Sequence, residues 1–297
     1  MSKGGVTLSM DHDTDAHYRV YGQQMKTFLT TTLGLTQTSD TGQADWTTAT
    51  RPATNTLTEY EIYRFNDSAQ STRPFFFKIR YGTASSTGRP QADISFGEGS
   101  NGTGSLTGAV TTSQLWYYGG FNAGMTLDVS ANWNATVGYF GLFTSNAAGY
   151  GPDSFKVFSV ERLRNTSGGP TTEGFSVVFG NNTGTPTYKS LFPGSWSSES
   201  GNTIPLFWPV RSNSAASSGG TFISGLSPLT GRGTFGPLEK TLGFCGVGMG
   251  DMGAGASFSI TRWDSVLHNY LATPCYGCAH SNSTAQEANC RNAILWD

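Results

Sequence analysis

The chain has 297 residues, with 18 Lys and Arg against 20 Asp and Glu, a formal net charge of −2 and a pI near 6.1. Without clustered cations, it has no electrostatic footprint for nucleic acid or anionic membrane, both of which bind through counterion release. Charged residues make up only 13%, about half the usual share. The 39 Gly and the 13% of aromatic residues supply turn punctuation and the large side chains that strands favour, so the composition predicts an all-β protein able to bury its core without cross-links.

Residues Met1 to Asp11 lack the apolar stretch of a signal peptide, and no apolar run approaches membrane-spanning length. Synthesis in the cytosol without membrane insertion is expected. Asp11-His12-Asp13-Thr14-Asp15 begins like a calcium loop, but Ala16 and Gly22 stand where an EF-hand needs Gly and Glu. Capping of a helix explains Asp13 and Asp15 more simply and leaves His12 and His17 unassigned. From Asp13 to Leu33 the residues Tyr18, Tyr21, Met25, Phe28, Leu29 and Leu33 recur at three and four positions. That spacing predicts one amphipathic helix packed on a sheet, with Gly34 as its stop. Thr36 to Gln43 is polar turn chemistry that would start a hairpin or cover a sheet edge.

Strand signals follow. Tyr60 to Phe65 and Pro74 to Tyr81 flank the polar loop Asn66 to Arg73 and predict a hairpin; the alternating Glu59 and Glu61 are expected on its solvent face. Phe96-Gly97-Glu98-Gly99-Ser100-Asn101-Gly102-Thr103-Gly104 contains G-x-G-x-x-G after a strand-like run. No apolar helical stripe follows, so a pyrophosphate would find no helix N-terminus and the stretch reads as a loop between strands. Further strand-like runs lie at Gln114 to Tyr118, Thr126 to Val129, Val137 to Phe143, Phe155 to Leu163, Phe175 to Phe179, Phe222 to Leu226, Leu242 to Val247 and Ser257 to Trp263. About ten short antiparallel strands joined by polar loops predict a β-sandwich or barrel-like domain with one N-terminal helix. Three segments are expected: residues 1–50 as arm and helix, 51–264 as the β domain with a long excursion at 193–237, and 265–297 as a cysteine-containing end.

In that end, Cys275, Cys278, His280 and Cys290 form a candidate structural zinc set, because C-x2-C lets a short turn aim two thiolates at one cation. A disulfide accounts for the same residues equally well, and Cys245 reads as a buried thiol in a strand. Either way no position is left open for catalysis, and no cofactor is required. Nucleophile elbows, HExxH helices and Walker loops are absent from the sequence. Carboxylate pairs such as Glu59 with Glu61, or Asp93 with Glu98, have no spacing that singles them out, and a non-enzymatic protein is expected.

Three stretches carry a resemblance: Gly34 to Gln43; Tyr60-Glu61-Ile62-Tyr63-Arg64-Phe65-Asn66-Asp67; and Pro74 to Thr83 continuing to the glycine loop at Gly97. Together they resemble a family of tailed-bacteriophage virion proteins encoded among tail genes. The resemblance covers the first hundred or so residues. It implies a virion structural protein of the tail or baseplate, lying near host contact and assembled with other virion subunits as a homo-oligomer in a symmetric array. Sparse charge suits such a surface, since charged groups are costly to desolvate in interface cores. Two alternatives stand beside it: a receptor- or glycan-binding module, motivated by Trp116, Tyr117, Phe207 and Trp208, and a capsid decoration protein.

Overall fold

In the computed structural model, residues 2–67, 74–84, 89–116, 124–146, 156–164, 170–181, 187–191, 223–225, 244–248, 255–262, 265–276 and 290–297 are described. The protein is mainly β, with one α-helix and several open antiparallel sheets among the described residues. Two compact units divide the chain: Ser2–Ala135 with Thr144–Lys156, and Thr136–Phe143 with Val157–Asp297.

In the first unit, β1 (Ser2–Ser9) leads into α1 (Asp15–Thr27), which continues as a π-helical turn over Phe28–Thr32. Thr14 is the N-cap and its hydroxyl accepts the His17 N–H at 3.1 Å, satisfying one of the donors that a helix start leaves unpaired. All six residues of the expected stripe, from Tyr18 to Leu33, are buried, and Gly34 follows at φ +70°. The helix is therefore held by one apolar face rather than by intrinsic propensity.

A five-stranded sheet has the order β2-β3-β4-β5-β8, formed by β2 (Thr36–Gln37), β3 (Thr56–Arg64), β4 (Phe76–Thr83), β5 (Pro90–Gly97) and β8 (Val110–Trp116). β2 is the polar turn segment, paired on the edge of β3 with Thr36 opposite Arg64. β3 and β4 form the expected hairpin, with Tyr63 opposite Phe77 and Glu61 opposite Ile79. Because side chains alternate across a strand, Glu61, Tyr63 and Phe65 share a face with Phe75, Phe77, Ile79 and Tyr81, and through β5 with Ala92, Ile94 and Phe96. All of these are buried. Stacked rings tie the face together, at 5.0 Å for Tyr63 with Phe77 and 5.1 Å for Phe75 with Phe96. β1 pairs with β9 (Thr126–Asn134) through eight residues, Val6 opposite Val129. The expected N-terminal arm is thus a paired strand over Ser2–Ser9.

Between β5 and β8 the glycine-rich stretch folds as a small hairpin, β6 (Gly99–Ser100) with β7 (Leu106–Thr107). The Asn101 side-chain oxygen accepts the N–H groups of Thr103 and Ser105 at 2.9 and 3.0 Å, a local turn device of Asn. Gly102 and Gly104 take positive φ there.

Four strands, β10 (Tyr139–Asn146), β11 (Lys156–Arg164), β12 (Pro170–Asn181) and β13 (Thr187–Leu191), follow one another in sheet order, and all but residues 144–146 and 156 of them belong to the second unit. A further five-stranded sheet runs β14-β15-β18-β17-β16, from β14 (Ile223–Gly225), β15 (Phe244–Gly248), β16 (Ser257–Thr261), β17 (Leu267–Tyr276) and β18 (Cys290–Leu295). β17 and β18 carry the cysteine-containing end into the middle of that sheet. Its core groups Tyr139, Tyr270, Ala272, Ala293 and Leu295, with Val137, Phe258 and Ile260 at the border. Apart from Ile223–Gly225, the segment 193–237 lies outside the described residues.

Candidate functional site

A buried cluster of polar and aromatic groups packs against α1. Asp45 builds a tight turn, accepting the Thr47 N–H at 2.9 Å and the Thr48 hydroxyl at 2.9 Å while its carbonyl accepts the Ala49 N–H at 2.8 Å. The turn directs Trp46 inward, between Tyr18 at 5.5 Å and Tyr81 at 4.9 Å, both edge-on. Room for the indole comes from Gly22, since a Cβ there would sit 2.3 Å from the Trp46 ring. Burial of three aromatic residues in edge-to-face contact contributes about 0.5–1.5 kcal/mol per pair beyond the area they remove from water.

Glu61 stands at the centre of this cluster and is fully buried, against the expected solvent-facing position. Its two oxygens are both engaged: Trp46 Nε1 donates to Oε1 at 3.1 Å, and the Tyr81 hydroxyl donates to Oε2 at 2.8 Å. Lys26 of α1 brings its ammonium to 3.9 Å from Oε1. Burial raises the Glu61 pKa above the usual carboxylate value, opposed by the hydrogen bonds from Tyr81 and Trp46 and by the charge of Lys26. Burial also holds the Tyr63 and Tyr81 hydroxyls far above their ordinary range, with the Glu61 charge adding to it. A carboxyl group so enclosed and doubly bonded acts as an anchor between helix, turn and sheet. The signal that would have placed it inside was its parity with Tyr63 and Phe65 rather than with Ile62 and Arg64.

His12 closes the other end of the cluster, 5.1 Å from the Tyr18 ring and 5.7 Å from Tyr21. Its Nε2 lies 2.9 Å from the Thr83 hydroxyl oxygen, and that hydroxyl donates its only proton to the Pro52 carbonyl at 3.1 Å. Nε2 therefore carries the imidazole proton, and the buried Nδ1 has no hydrogen-bond partner. Burial, reinforced by the charges of Arg51 and Arg89, lowers its pKa to about 3. His12 is a neutral core residue, and Arg51 Nη1 donates to its carbonyl.

Asp11, Asp13 and Asp15 each have a separate partner: Gly124 N–H at 2.7 Å, His17 Nδ1, and Arg51 N–H at 2.9 Å. The glycine loop packs on β3 and β4, its Gly104 carbonyl accepting from Lys78 Nζ at 2.6 Å while that ammonium lies 4.3 Å from the Tyr60 ring. Asp93 is paired with Arg80, which donates from Nε at 2.9 Å. Among the described residues no three His, Cys, Asp or Glu side chains converge as a metal site. Cys278 and His280 lie outside the described residues. Cys275 and Cys290 are in the adjacent strands β17 and β18, whose register sets Tyr276 opposite Arg291, and Cys245 of β15 is opposite Ala293. Trp116 closes β8 opposite Ala92, while Tyr117, Phe207 and Trp208 lie outside the described residues. No helix is long and apolar enough to cross a membrane among the described residues.

Compared with family models, curated proteins and solved structures, the chain matches none.

Proposed function

We propose that this protein is a structural subunit of a tailed-bacteriophage particle, placed in the tail or baseplate and assembled with neighbouring subunits close to the host-contact region. One observation carries the reading: the three stretches that resemble phage virion proteins form a single structural patch. Thr36 pairs with Arg64, Tyr60 with Arg80, and Phe76 with Gly97, so the resemblance follows one folded sheet rather than scattered words. The Glu61 anchor sits in that same sheet and serves its rigidity. Sparse charge in the chain favours surfaces that neighbours can cover at low desolvation cost.

Immuno-electron microscopy of purified phage particles, with antibody raised against the recombinant chain, tests the reading. Label at the tail or baseplate is the expected result. Label spread over the shell would instead assign a decoration protein, and particles free of the chain by mass spectrometry would overturn the proposal.

A further inference from the structure

Among the described residues, β16 ends its sheet, with β17 on one side and no strand on the other. An open edge presents a row of N–H and C=O groups that pair with another extended strand, and monomeric proteins blunt such edges with Lys, Pro or bulges. None is present here: the run Ala254 to Thr261 contains no charged residue and no Pro. Ser257, Ser259 and Thr261 are exposed, while Phe258 and Ile260 are half-buried at the border of the Tyr270 core cluster. The Phe258 ring stacks on Tyr270 at 5.8 Å, and among the described residues no further strand lies beyond it.

We propose that β16 is a homotypic assembly edge, pairing antiparallel with β16 of a second copy about a twofold axis at Ser259. The twofold sets Ser259 against its own counterpart and pairs the residues on either side of it with each other, so a charge at the axis would face itself. The neutral strand meets that condition. In this register Phe258 faces Ile260 of the copy on the core side, and Ser257 faces Thr261 on the outer side. The apolar border of each core is thereby continued into the other, and two five-stranded sheets become one. A ladder of five residues lies at the small end of interfaces. The contact is weak for two free chains and is strengthened in an array where several contacts form together. It does not depend on the phage reading: a solitary chain in solution overturns the contact, whereas absence from particles overturns the reading.

Sedimentation of the full chain from micromolar to about millimolar concentration is expected to show the mean mass rising from 31.6 kDa towards twice that value, with amide exchange at residues 257–261 slowing in parallel. Ser259→Lys sets two ammonium groups against each other and Ser259→Asp two carboxylates, so each variant alone is expected to lose at least tenfold in association while keeping its melting temperature. Mixing the two variants should restore a mixed pair. A wild-type chain that stays single throughout, a Ser259→Lys variant that associates as wild type does, or a mixture that forms no mixed pair would each overturn the proposal. Exchange at residues 257–261 in the wild type, unchanged with concentration, overturns it without recourse to any variant.

Discussion

Trp46 Nε1 donates to Glu61 Oε1 at 3.1 Å inside a site closed to solvent. The indole belongs to the Asp45 turn, which packs on α1 at Gly22, and the carboxylate to β3, so one hydrogen bond joins two layers of the first unit. With Tyr81 on the second oxygen and Lys26 near the first, each carboxyl oxygen has a partner.

Glu61→Ala removes both acceptors and leaves the Trp46 N–H and the Tyr81 hydroxyl buried without partners. At about 1–3 kcal/mol for each of the two orphaned groups, a loss of roughly 2–6 kcal/mol is expected. Glu61→Gln keeps one oxygen for Trp46, and the Tyr81 hydroxyl can turn to accept from the amide, so its loss should be under half as large. Urea denaturation followed by circular dichroism measures both; equal losses would show that hydrogen bonding at Glu61 is not what holds the layers.

Gly22→Ala should destabilise the protein even though Ala is the better helix former by about 1 kcal/mol. The added methyl would lie 2.3 Å from the Trp46 ring, and overpacking of this kind costs about 1–3 kcal/mol. A melting temperature equal to or above wild type would show that the indole moves aside freely.

The pH dependence has two opposing parts. His12 has a folded pKa of about 3, below the ordinary value near 6.5. The unfolded chain therefore binds the extra proton between those values, and the contribution of neutral His12 is whole above about pH 6.5 and is lost as pH falls towards 3. Glu61 is shifted upward, so its charged form opposes folding, and that opposition fades as pH drops through its raised pKa. His12→Gln should flatten the decline in unfolding midpoint between pH 6 and 4, and Glu61→Gln should steepen it. Parallel pH profiles for wild type and His12→Gln would contradict the assignment.

Arg80 grips Asp93 with Nε and Nη2 from the neighbouring strand, and Asp93 is the more buried of the two. Arg80→Lys loses the forked geometry, with an expected cost of about 1 kcal/mol, lower at high salt because the Arg side is partly exposed. Asp93→Asn with Arg80 retained should cost a similar amount, and the double-mutant cycle should return most of it. Additive losses would mean the pair is not coupled.

Several elements could be read in advance because short-range chemistry decides them. The spacing from Tyr18 to Leu33 marks a helix face wherever the helix ends up, and Asn66 to Arg73 separates two alternating runs whatever they pack against. The glycine stretch after Phe96 was recognisable as a loop because nothing helical follows it. Other elements were misread or missed for equally specific reasons. Ser2–Ser9 contains Gly4 and Gly5, which argue against a strand until β9 is available to pair with it. Leu267–Tyr276 and Cys290–Leu295 mix His, Asn, Pro and Cys with apolar residues, and they become strands by lying between β15 and β16. Glu61 was assigned to water by its charge, whereas its neighbours in alternation are Tyr63 and Phe65.

The sequence by itself determined a β-rich chain, one amphipathic helix and the punctuation between strands, because periodicity and turn chemistry act within a few residues. Only the tertiary structure decided which face of β3 lies under the helix, that Trp46 and Tyr81 converge on Glu61, and that His12 has no proton on Nδ1. Those outcomes depend on side chains up to about 70 positions apart meeting in a low-dielectric interior, where burial and the supply of hydrogen-bond partners outweigh the solubility of any one residue.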